Sequence, residues 1–390
     1  MDEIPLSGPD ITEREIELVS RVLRSGRLAI GPMQLRFEEM VAQRAGRHHA
    51  VACSSGTAAL HMALTAFGVG PGDEVIVPTF CFVAVANVVL QAGATPVFVD
   101  ICPKTLNMDP QRVEAAITRR TKAVIAVENL GCPTYMEKYR SICDRHEIVM
   151  IEDACEALGG TYSGRAAGGF GHAAVFGFYP NKQITTGEGG MLVTDNARIA
   201  DIARSLRNQG RAGNSAGGHP GASQGLRSWM SFERLGYNYR LSEIHAALGV
   251  AQMERLDDIL MRRQVAAERY IERFMVHPDL ILPYVGPDTQ MSWFVFVVRL
   301  SDRYGAVERD RVLEGMHRHD VGAAAYFPCC HLMPQFAHLP GCRPGAFPIS
   351  ESVSQRTIAL PFFTGLTARD ADFAGATLEL MISRENLSRS

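Results

Sequence analysis

Short apolar runs rich in Val, Ile and Ala alternate with longer stretches of helical spacing over the first two hundred residues. The runs predict strands at residues 49–55, 72–78, 95–100, 122–127, 149–153 and 191–194. The longer stretches predict helices at about residues 10–25, 35–45, 56–67, 79–90 and 110–118. Apolar strands separated by helices are typical of a mainly parallel sheet with helices on both faces. We therefore expect an active site where the carboxyl ends of the strands meet.

The alternation of apolar strands with helices ends before residue 240, and a different pattern follows. A long helix begins near Ser242 and is followed by a charged amphipathic helix, a strand at 293–300 and a helix at 309–318. We therefore expect a large domain with an N-terminal arm over residues 1–255, and a smaller α+β domain over residues 256–390. Residues 212–225 are rich in Gly and Ser and are expected to form a mobile loop.

Composition narrows the class of protein. A net charge of −3 over 390 residues gives no electrostatic basis for binding nucleic acid or a membrane surface. No apolar run reaches the roughly 18 residues of a membrane span, and the N-terminus lacks the features of a signal peptide. We therefore expect a cytoplasmic protein. The nine cysteines lack metal-ligand spacing, so no metal site is expected.

Lys182 stands between an apolar run at residues 176–179 and a Gly-rich turn at 186–190. A lone lysine is usually exposed at a loop tip, but a partly buried lysine becomes a nucleophile for carbonyl groups. Asp153 ends an apolar strand upstream of this lysine. An acid at a strand end, followed by a lysine in a loop, is how enzymes that use pyridoxal 5′-phosphate (PLP) hold that cofactor.

Three segments around these two residues carry a resemblance to a known family. Residues 152–159 (EDACEALG), 178–182 (FYPNK) and 186–190 (TGEGG) resemble the DegT/DnrJ/EryC1/StrS family of PLP-dependent sugar aminotransferases. The resemblance covers nearly the whole chain. It implies the type I (aspartate aminotransferase-like) α/β fold, with a mainly parallel seven-stranded sheet in the large domain. It also implies PLP as cofactor and a homodimer with shared active sites.

The resemblance assigns the cofactor phosphate to a turn and to a second subunit. Ser55, Gly56 and Thr57 lie at a strand-to-helix turn, where free N–H groups can face an anion. From the residues alone, a simple capped helix explains this turn equally well. Asn238, in the GYNYR segment at 236–240, would reach the phosphate held by the partner subunit. Its residue type alone would suggest a turn or a helix cap.

The resemblance also assigns four residues around the cofactor ring. Asp153 would pair with the pyridine nitrogen, and Lys182 would form a Schiff base and later move a proton between substrate and cofactor. Phe82 would stack on the ring, although an aromatic residue at this position is more often part of the core. Glu156 stands where many family members have glutamine and is expected to contact the ring.

Four further positions concern the substrate or depart from the family pattern. His331 and Tyr179 are expected to contact the substrate, although His331 is equally compatible with a polar loop. Gly177 stands where family members often have a phosphate-binding serine, so backbone or water must replace that hydroxyl. Glu128 stands where they often have histidine.

The predicted function is transfer of an amino group from an amino acid, with glutamate as the expected donor, to a nucleotide-linked keto-(6-deoxy)sugar. Three alternatives remain. The acceptor could be a cyclitol ketone. The chain could be a PLP-dependent sugar dehydratase, but those relatives have histidine in place of the lysine, and Lys182 argues against this. It could also be a non-catalytic regulatory protein, against which the intact pair of Asp153 and Lys182 argues.

Overall fold

The computed structural model describes residues 3–211 and 231–387, so the predicted loop at 212–225 lies outside the described residues. The described strands are β1 His49–Cys53, β2 Glu74–Pro78, β3 Thr95–Val99, β4 Thr121–Val127, β5 Val149–Asp153, β6 Thr161–Tyr162, β7 Arg165–Ala166, β8 Ala173–Gly177, β9 Gly190–Thr194, β10 Leu280–Ile281, β11 Thr289–Gln290, β12 Phe296–Leu300 and β13 Thr357–Leu360. The described α-helices are α1 Glu13–Ser25, α2 Pro32–Ala45, α3 Gly56–Ala66, α4 Ala84–Gln91, α5 Pro110–Ala115, α6 Met136–Arg145, α7 Ala197–Arg207, α8 Glu243–Glu254, α9 Leu256–Phe274, α10 Ala306–His317, α11 Pro348–Ser354 and α12 Ala368–Leu387.

The central sheet has seven strands in the order β1-β9-β8-β5-β4-β2-β3. Strands β3, β2, β4, β5 and β8 pair in parallel, whereas β9 runs antiparallel to both of its neighbours, β8 and β1. The predicted mainly parallel seven-stranded sheet is therefore confirmed. Because β9 is reversed, its beginning lies at the same edge as the carboxyl ends of the other strands.

Successive strand residues face opposite sides of the sheet and build a core on each side. Val51, Ile125 and Ile151 are fully buried toward α3, α4 and α7. Phe176 and Met191 are buried on the other side against α2 and α8. The sheet is thus covered on both faces, and the edge formed by the strand ends remains for a site.

Polar side chains fix the starts of three helices. Thr12 forms a capping box with Glu15 at the start of α1. Ser55 accepts a hydrogen bond from the backbone of Ala58 (3.0 Å) and begins α3 directly after β1. Ser242 caps α8 as predicted. Of these three helices, α3 is the one that directly follows a strand of the central sheet, so the Ser55 cap sets where the chain turns at the sheet edge.

The helix predicted from residue 79 begins later, at α4. The reason is that Thr79 already uses its backbone in other contacts. Its N–H donates to the carbonyl of Val99 (3.1 Å), and its carbonyl accepts from the N–H of Cys330 (2.8 Å). Phe82 therefore lies in an open segment between β2 and α4 rather than inside a helix.

The C-terminal part contains a separate antiparallel sheet, β10-β12-β13, packed against α9, α10 and α12. The predicted domain boundary between residues 255 and 256 falls where α8 ends and α9 begins. The division into two domains at this point stays a prediction. None of the helices in the described ranges is both long and apolar enough to span a membrane.

Arg263 on α9 fastens the segment that leads into β12. Its side chain is 2% exposed, and it donates to the carbonyls of Trp293 and Phe294, both at 2.7 Å. A third hydrogen bond joins it to the hydroxyl of Thr364 (3.3 Å). Burial lowers the pKa of Arg263 to about 10, and the carbonyl groups compensate its charge. The carbonyls of Trp293 and Phe294 are thus bound by this arginine, and β12 begins only at Phe296 rather than at the predicted residue 293.

We expect Arg263→Ala to destabilise the protein by about 3 kcal/mol, because two buried carbonyls would lose their donors. Urea unfolding of the variant and the wild type measures the difference. The matched control is Arg269→Ala on the same helix, which removes an exposed ion pair with Asp372 and should change the unfolding midpoint little. Equal losses for the two variants would contradict the structural role assigned to Arg263.

Candidate active site

A cavity of about 590 Å³ opens at the carboxyl edge of the central sheet. It collects the turns that follow β1, β2, β5 and β8 and the segment that enters β9. The predicted residues that line it are Ser55, Gly56, Thr57, Phe82, Asp153, Glu156, Tyr179 and Lys182. The other two predicted residues, Asn238 and His331, do not line it.

The turn after β1 presents the start of α3 to the cavity. Gly56 and Thr57 are the first two residues of this helix, so their N–H groups have no helical acceptor and are available to an anion. A Cβ atom on Gly56 would come within 2.8 Å of the Cys155 sulfur. The lack of a side chain at Gly56 therefore allows the turn to pack closely against the end of β5.

Cys155 explains the glycine at position 177. A Cβ atom at Gly177 would lie 3.3 Å from the Cys155 sulfur, which is a tight contact. The thiol therefore takes up much of the space that a larger residue at 177 would need. Burial raises the pKa of the Cys155 thiol well above its ordinary value, so the group stays neutral at this point of the cavity.

Asp153 ends β5 and faces the cavity with 7% of its surface exposed. One carboxylate oxygen accepts a hydrogen bond from the backbone N–H of Cys155 (3.1 Å). Burial raises the pKa of Asp153, and the Cys155 N–H and the Lys182 charge oppose that effect. The site thus offers a buried carboxyl that gains stability from a cationic partner.

Lys182 lies in the loop between β8 and β9, and its amine enters the cavity. The Nζ atom is 3.4 Å from Oε1 of Glu156 and 3.9 Å from the ring centroid of Phe294. The other oxygen of Glu156 accepts from the backbone N–H of Leu130 (2.8 Å). Burial raises the pKa of Glu156, and the Lys182 charge opposes this effect. The amine is therefore held between a carboxylate and an aromatic face.

Gln183, the next residue, fastens the lysine loop. Its Nε2 donates to the backbone carbonyl of Glu156 (2.6 Å) and to the hydroxyl of Ser292 (2.7 Å). The Ser292 hydroxyl in turn donates to the carbonyl of Leu158 (2.6 Å). Sequence analysis did not find these residues, because their partners are more than twenty residues away along the chain.

Aromatic side chains form much of the cavity wall. Phe82 and Tyr179 are 61% and 55% exposed, which leaves flat surfaces open to a ligand. Phe294, Tyr326 and Phe327 line the cavity from the C-terminal part of the chain. Sequence analysis missed these three, since it placed Phe294 inside a strand and assigned no role to the others.

The structure places His331, which was predicted to contact the substrate, outside the cavity. The side chain is fully buried and does not line the cavity. Its Nδ1 is hydrogen-bonded to the hydroxyl of Thr79, and its Nε2 lies 3.2 Å from a carboxylate oxygen of Glu351. Burial lowers the pKa of His331. The imidazole therefore links the end of β2 to α11 instead of facing a substrate.

Asn238 is exposed on the described chain and does not line the cavity of its own subunit. Its backbone forms a bridge with Asn208, just after α7. Its neighbour Tyr239 accepts a hydrogen bond from the N–H of Ser54 (2.8 Å), directly before the turn at Ser55.

The residues present in the cavity fit PLP. The Lys182 amine can bind its aldehyde, and the buried Asp153 carboxyl can pair with its pyridine nitrogen. The close-packed turn at Gly56 provides N–H groups for its phosphate. The exposed face of Phe82 can cover a flat ring.

Comparisons with known proteins cover the full length of the chain. A model described as the DegT/DnrJ/EryC1/StrS aminotransferase family matches residues 9–379. The spore coat polysaccharide biosynthesis protein SpsC of Bacillus subtilis is 38% identical, covering 95% of this chain and 94% of that protein. The GDP-perosamine synthase of Caulobacter vibrioides is 36% identical, covering 98% and 99%. Spr1654 of Streptococcus pneumoniae, solved in its PMP form, has a TM-score of 0.92 at 27% identity, covering 100% of both chains.

Glu128, which follows β4, is a buried acid outside the cavity. It is 0% exposed, and neither carboxyl oxygen has a hydrogen-bond partner among the described residues. Burial raises its pKa well above the ordinary value, and Glu152 adds to the effect. Glu152 accepts from the N–H groups of Phe170 (2.8 Å) and Gly171 (2.9 Å).

The described ranges contain no group of three or more His, Cys, Asp or Glu side chains placed to hold a metal.

We expect the free energy of unfolding of Glu128→Gln, measured relative to that of the wild type, to increase as the pH rises. The ordinary pKa of this carboxyl is 4.5. Above that pH the unfolded chain loses the proton while the folded protein keeps it. The wild type therefore loses up to about 1.4 kcal/mol of unfolding free energy per pH unit, until the pH passes the raised folded-state pKa. Glutamine does not titrate and escapes this loss.

Urea unfolding at about pH 5, 6 and 7 measures this difference. The matched control is Glu137→Gln, which changes an exposed glutamate on α6 and should follow the wild-type pH dependence. A Glu128→Gln profile parallel to that of the wild type would show that Glu128 is ionised in the folded protein.

Proposed function

The chain belongs to the DegT/DnrJ/EryC1/StrS aminotransferase family, and we propose that it aminates a nucleotide-linked keto-6-deoxysugar with glutamate as donor. The predicted family, type I α/β fold and PLP dependence are confirmed by the matches to a family model and to a structure in its PMP form. The protein is thus a PLP-dependent aminotransferase. The names of its relatives, a polysaccharide biosynthesis protein and GDP-perosamine synthase, support a sugar substrate.

The observation that carries this proposal is the position of Lys182 in one cavity with two buried carboxyl groups. Its amine lies 3.4 Å from Glu156, and the charge of Lys182 also acts on Asp153. An amine, an acid for the pyridine nitrogen and an anion-binding turn are the parts that an aminotransferase needs. The lysine also argues against the dehydratase alternative.

Each residue has a proposed task in the transfer. PLP, when bound, withdraws electrons from the bond that breaks at the substrate carbon. Asp153 keeps the pyridine nitrogen protonated, and Gly56 and Thr57 orient the phosphate. Lys182 holds the cofactor covalently and, after release, its Nζ moves a proton to or from the reacting carbon. Glu156 holds the free ammonium of Lys182 between these two roles.

The charges in the cavity support a homodimer with shared active sites. Among the described residues that line it, Lys182 is the one cation, whereas Asp153, Glu156 and Glu188 carry carboxyl groups. A cofactor phosphate and a nucleotide diphosphate would add several negative charges. Hydrogen-bond donors from a second subunit would stabilise these anions, and the exposed Asn238 is the proposed contribution. We also propose a cytoplasmic location for the enzyme.

A panel of acceptors tests the substrate class. The PLP-loaded enzyme is given glutamate and GDP-, UDP- or dTDP-linked 3-keto and 4-keto-6-deoxyhexoses, together with a cyclitol ketone. Mass spectrometry then detects the aminated product. We expect amination of at least one nucleotide-linked sugar. Amination of the cyclitol ketone alone would replace the proposed substrate class.

Lys182→Ala should abolish turnover, because no other amine among the described cavity residues can bind the cofactor covalently. After PLP loading and borohydride reduction, peptide mass spectrometry should find the cofactor attached to Lys182 in the wild type and unattached in the variant. Lys138→Ala, which removes a lysine outside the cavity, serves as the control. A reduced cofactor attached to a different lysine in the wild type would refute the assignment.

Mixing two inactive variants tests the shared site. If Asn238 serves the partner subunit, a dimer of one Asn238→Ala and one Lys182→Ala subunit has one site with both defects and one intact site. Random exchange of equal amounts should therefore recover about a quarter of wild-type activity, since half of the dimers are mixed. Subunit exchange and near inactivity of each variant alone are the required controls. No recovery under these conditions would mean that Asn238 acts within its own chain.

A further inference from the structure

The amide of Asn181 lines the cavity directly before the reactive lysine in the chain. Lys182 lines the same cavity, so the two neighbouring side chains contribute to one wall. Its oxygen Oδ1 is buried and has no hydrogen-bond partner among the described residues. Buried polar atoms in native proteins are nearly always hydrogen-bonded. This oxygen is therefore a candidate acceptor for a bound ligand.

Tyr326 lines the same cavity as Asn181. Burial raises the pKa of the Tyr326 phenol, and the neighbouring Asn181 amide opposes this effect. The tyrosine ring stacks on Phe327 with centroids 4.9 Å apart and on Phe294 at 6.4 Å. The Tyr326 ring is held in this stack on the same cavity wall as Asn181, so it can orient the amide beside it.

The chemistry of the ligands limits what can donate to this oxygen. An amide oxygen only accepts hydrogen bonds, so its partner must carry O–H or N–H. Phosphate and carboxylate groups are anions and supply acceptors instead, whereas a contact with the cofactor's ring hydroxyl would affect the donor half-reaction as much as the sugar half-reaction. The donor's amine is consumed in the reaction. A sugar, in contrast, carries a hydroxyl group beside its ketone. Because the ketone must react close to Lys182, that hydroxyl comes close to the neighbouring residue, Asn181.

We propose that Asn181 is a specificity-determining residue that accepts a hydrogen bond from a sugar hydroxyl next to the carbon that is aminated. Tyr326 is a positioning residue that orients the Asn181 amide. This inference rests on the proposed sugar substrate. It adds that the enzyme selects acceptors by a hydroxyl beside the ketone, through a residue of the same loop that holds the cofactor.

The test compares two acceptors and two half-reactions. The acceptors are the nucleotide-linked keto-6-deoxyhexose that the wild type aminates best and its analogue without the hydroxyl beside the ketone. For Asn181→Ala we expect kcat/KM for the full acceptor to fall about tenfold to a hundredfold. The kcat/KM for the analogue should fall far less, so that the variant no longer distinguishes the two acceptors as the wild type does. The absorbance change of the cofactor with glutamate alone reports the donor half-reaction. The rate of this half-reaction should fall far less than the rate of the sugar half-reaction.

Tyr326→Phe keeps the ring and removes the hydroxyl, and it should show the same pattern with a smaller loss. It also provides a second test if Asn181→Ala folds poorly. Asn386→Ala is the matched control, because this asparagine binds Tyr304 and Asp279 and does not line the cavity. For Asn386→Ala, the ratio of kcat/KM for the two acceptors should equal that of the wild type.

The outcomes separate this inference from the proposed function. Equal losses for both acceptors, or unchanged kinetics in Asn181→Ala, would overturn the role of Asn181 and leave the sugar substrate intact. Such a result would assign a water molecule to the Oδ1 atom. If the wild type converts its cofactor with glutamate but aminates no sugar of the panel, the proposed substrate class falls and the inference falls with it.

Discussion

The side-chain amide of Gln183 joins three parts of the chain that are far apart in sequence. It binds the carbonyl of Glu156 after β5 and both the carbonyl (3.1 Å) and the hydroxyl of Ser292 before β12. The lysine loop is thereby fixed to the central sheet and to the C-terminal part at once. Lys182 can then face Glu156 and Phe294 together, because both partners come from the segments that this glutamine holds. The geometry of the active site depends on this interaction.

A buried charge is favourable only when neighbouring groups compensate it. The buried acids Glu152, Asp153 and Glu156 have different compensating groups. Glu152 is compensated by backbone N–H groups, including those of Phe170 and Gly171. The carboxyls of Asp153 and Glu156 have raised pKa values and share the charge of Lys182. Those two acids therefore gain most from a cationic ligand, which is what a protonated pyridine ring supplies.

Strand-end acids show why residue type alone does not identify a site. Asp100 and Asp153 both follow apolar segments of the same sheet. Asp100 accepts hydrogen bonds from the N–H groups of Ile349 (3.1 Å) and Ser350 (2.8 Å), so it anchors the start of α11. Asp153 faces the cavity instead. The difference is made by a segment about 250 residues away, whose approach no local pattern around Asp100 reveals.

Local patterns in the sequence determined the alternation of strands and helices, the parallel sheet, and the motifs that place Lys182 and Asp153 at one edge. These features follow from hydrophobic period and turn chemistry, which act between residues close in the chain. Only the tertiary structure decided that His331 is buried against Glu351, that Phe294 faces the lysine, and that the Asn181 oxygen has no partner among the described residues. These outcomes depend on contacts between distant segments. A contact between distant segments is set by how whole elements pack, and the residues on either side of it carry no local sign of the partner they will meet.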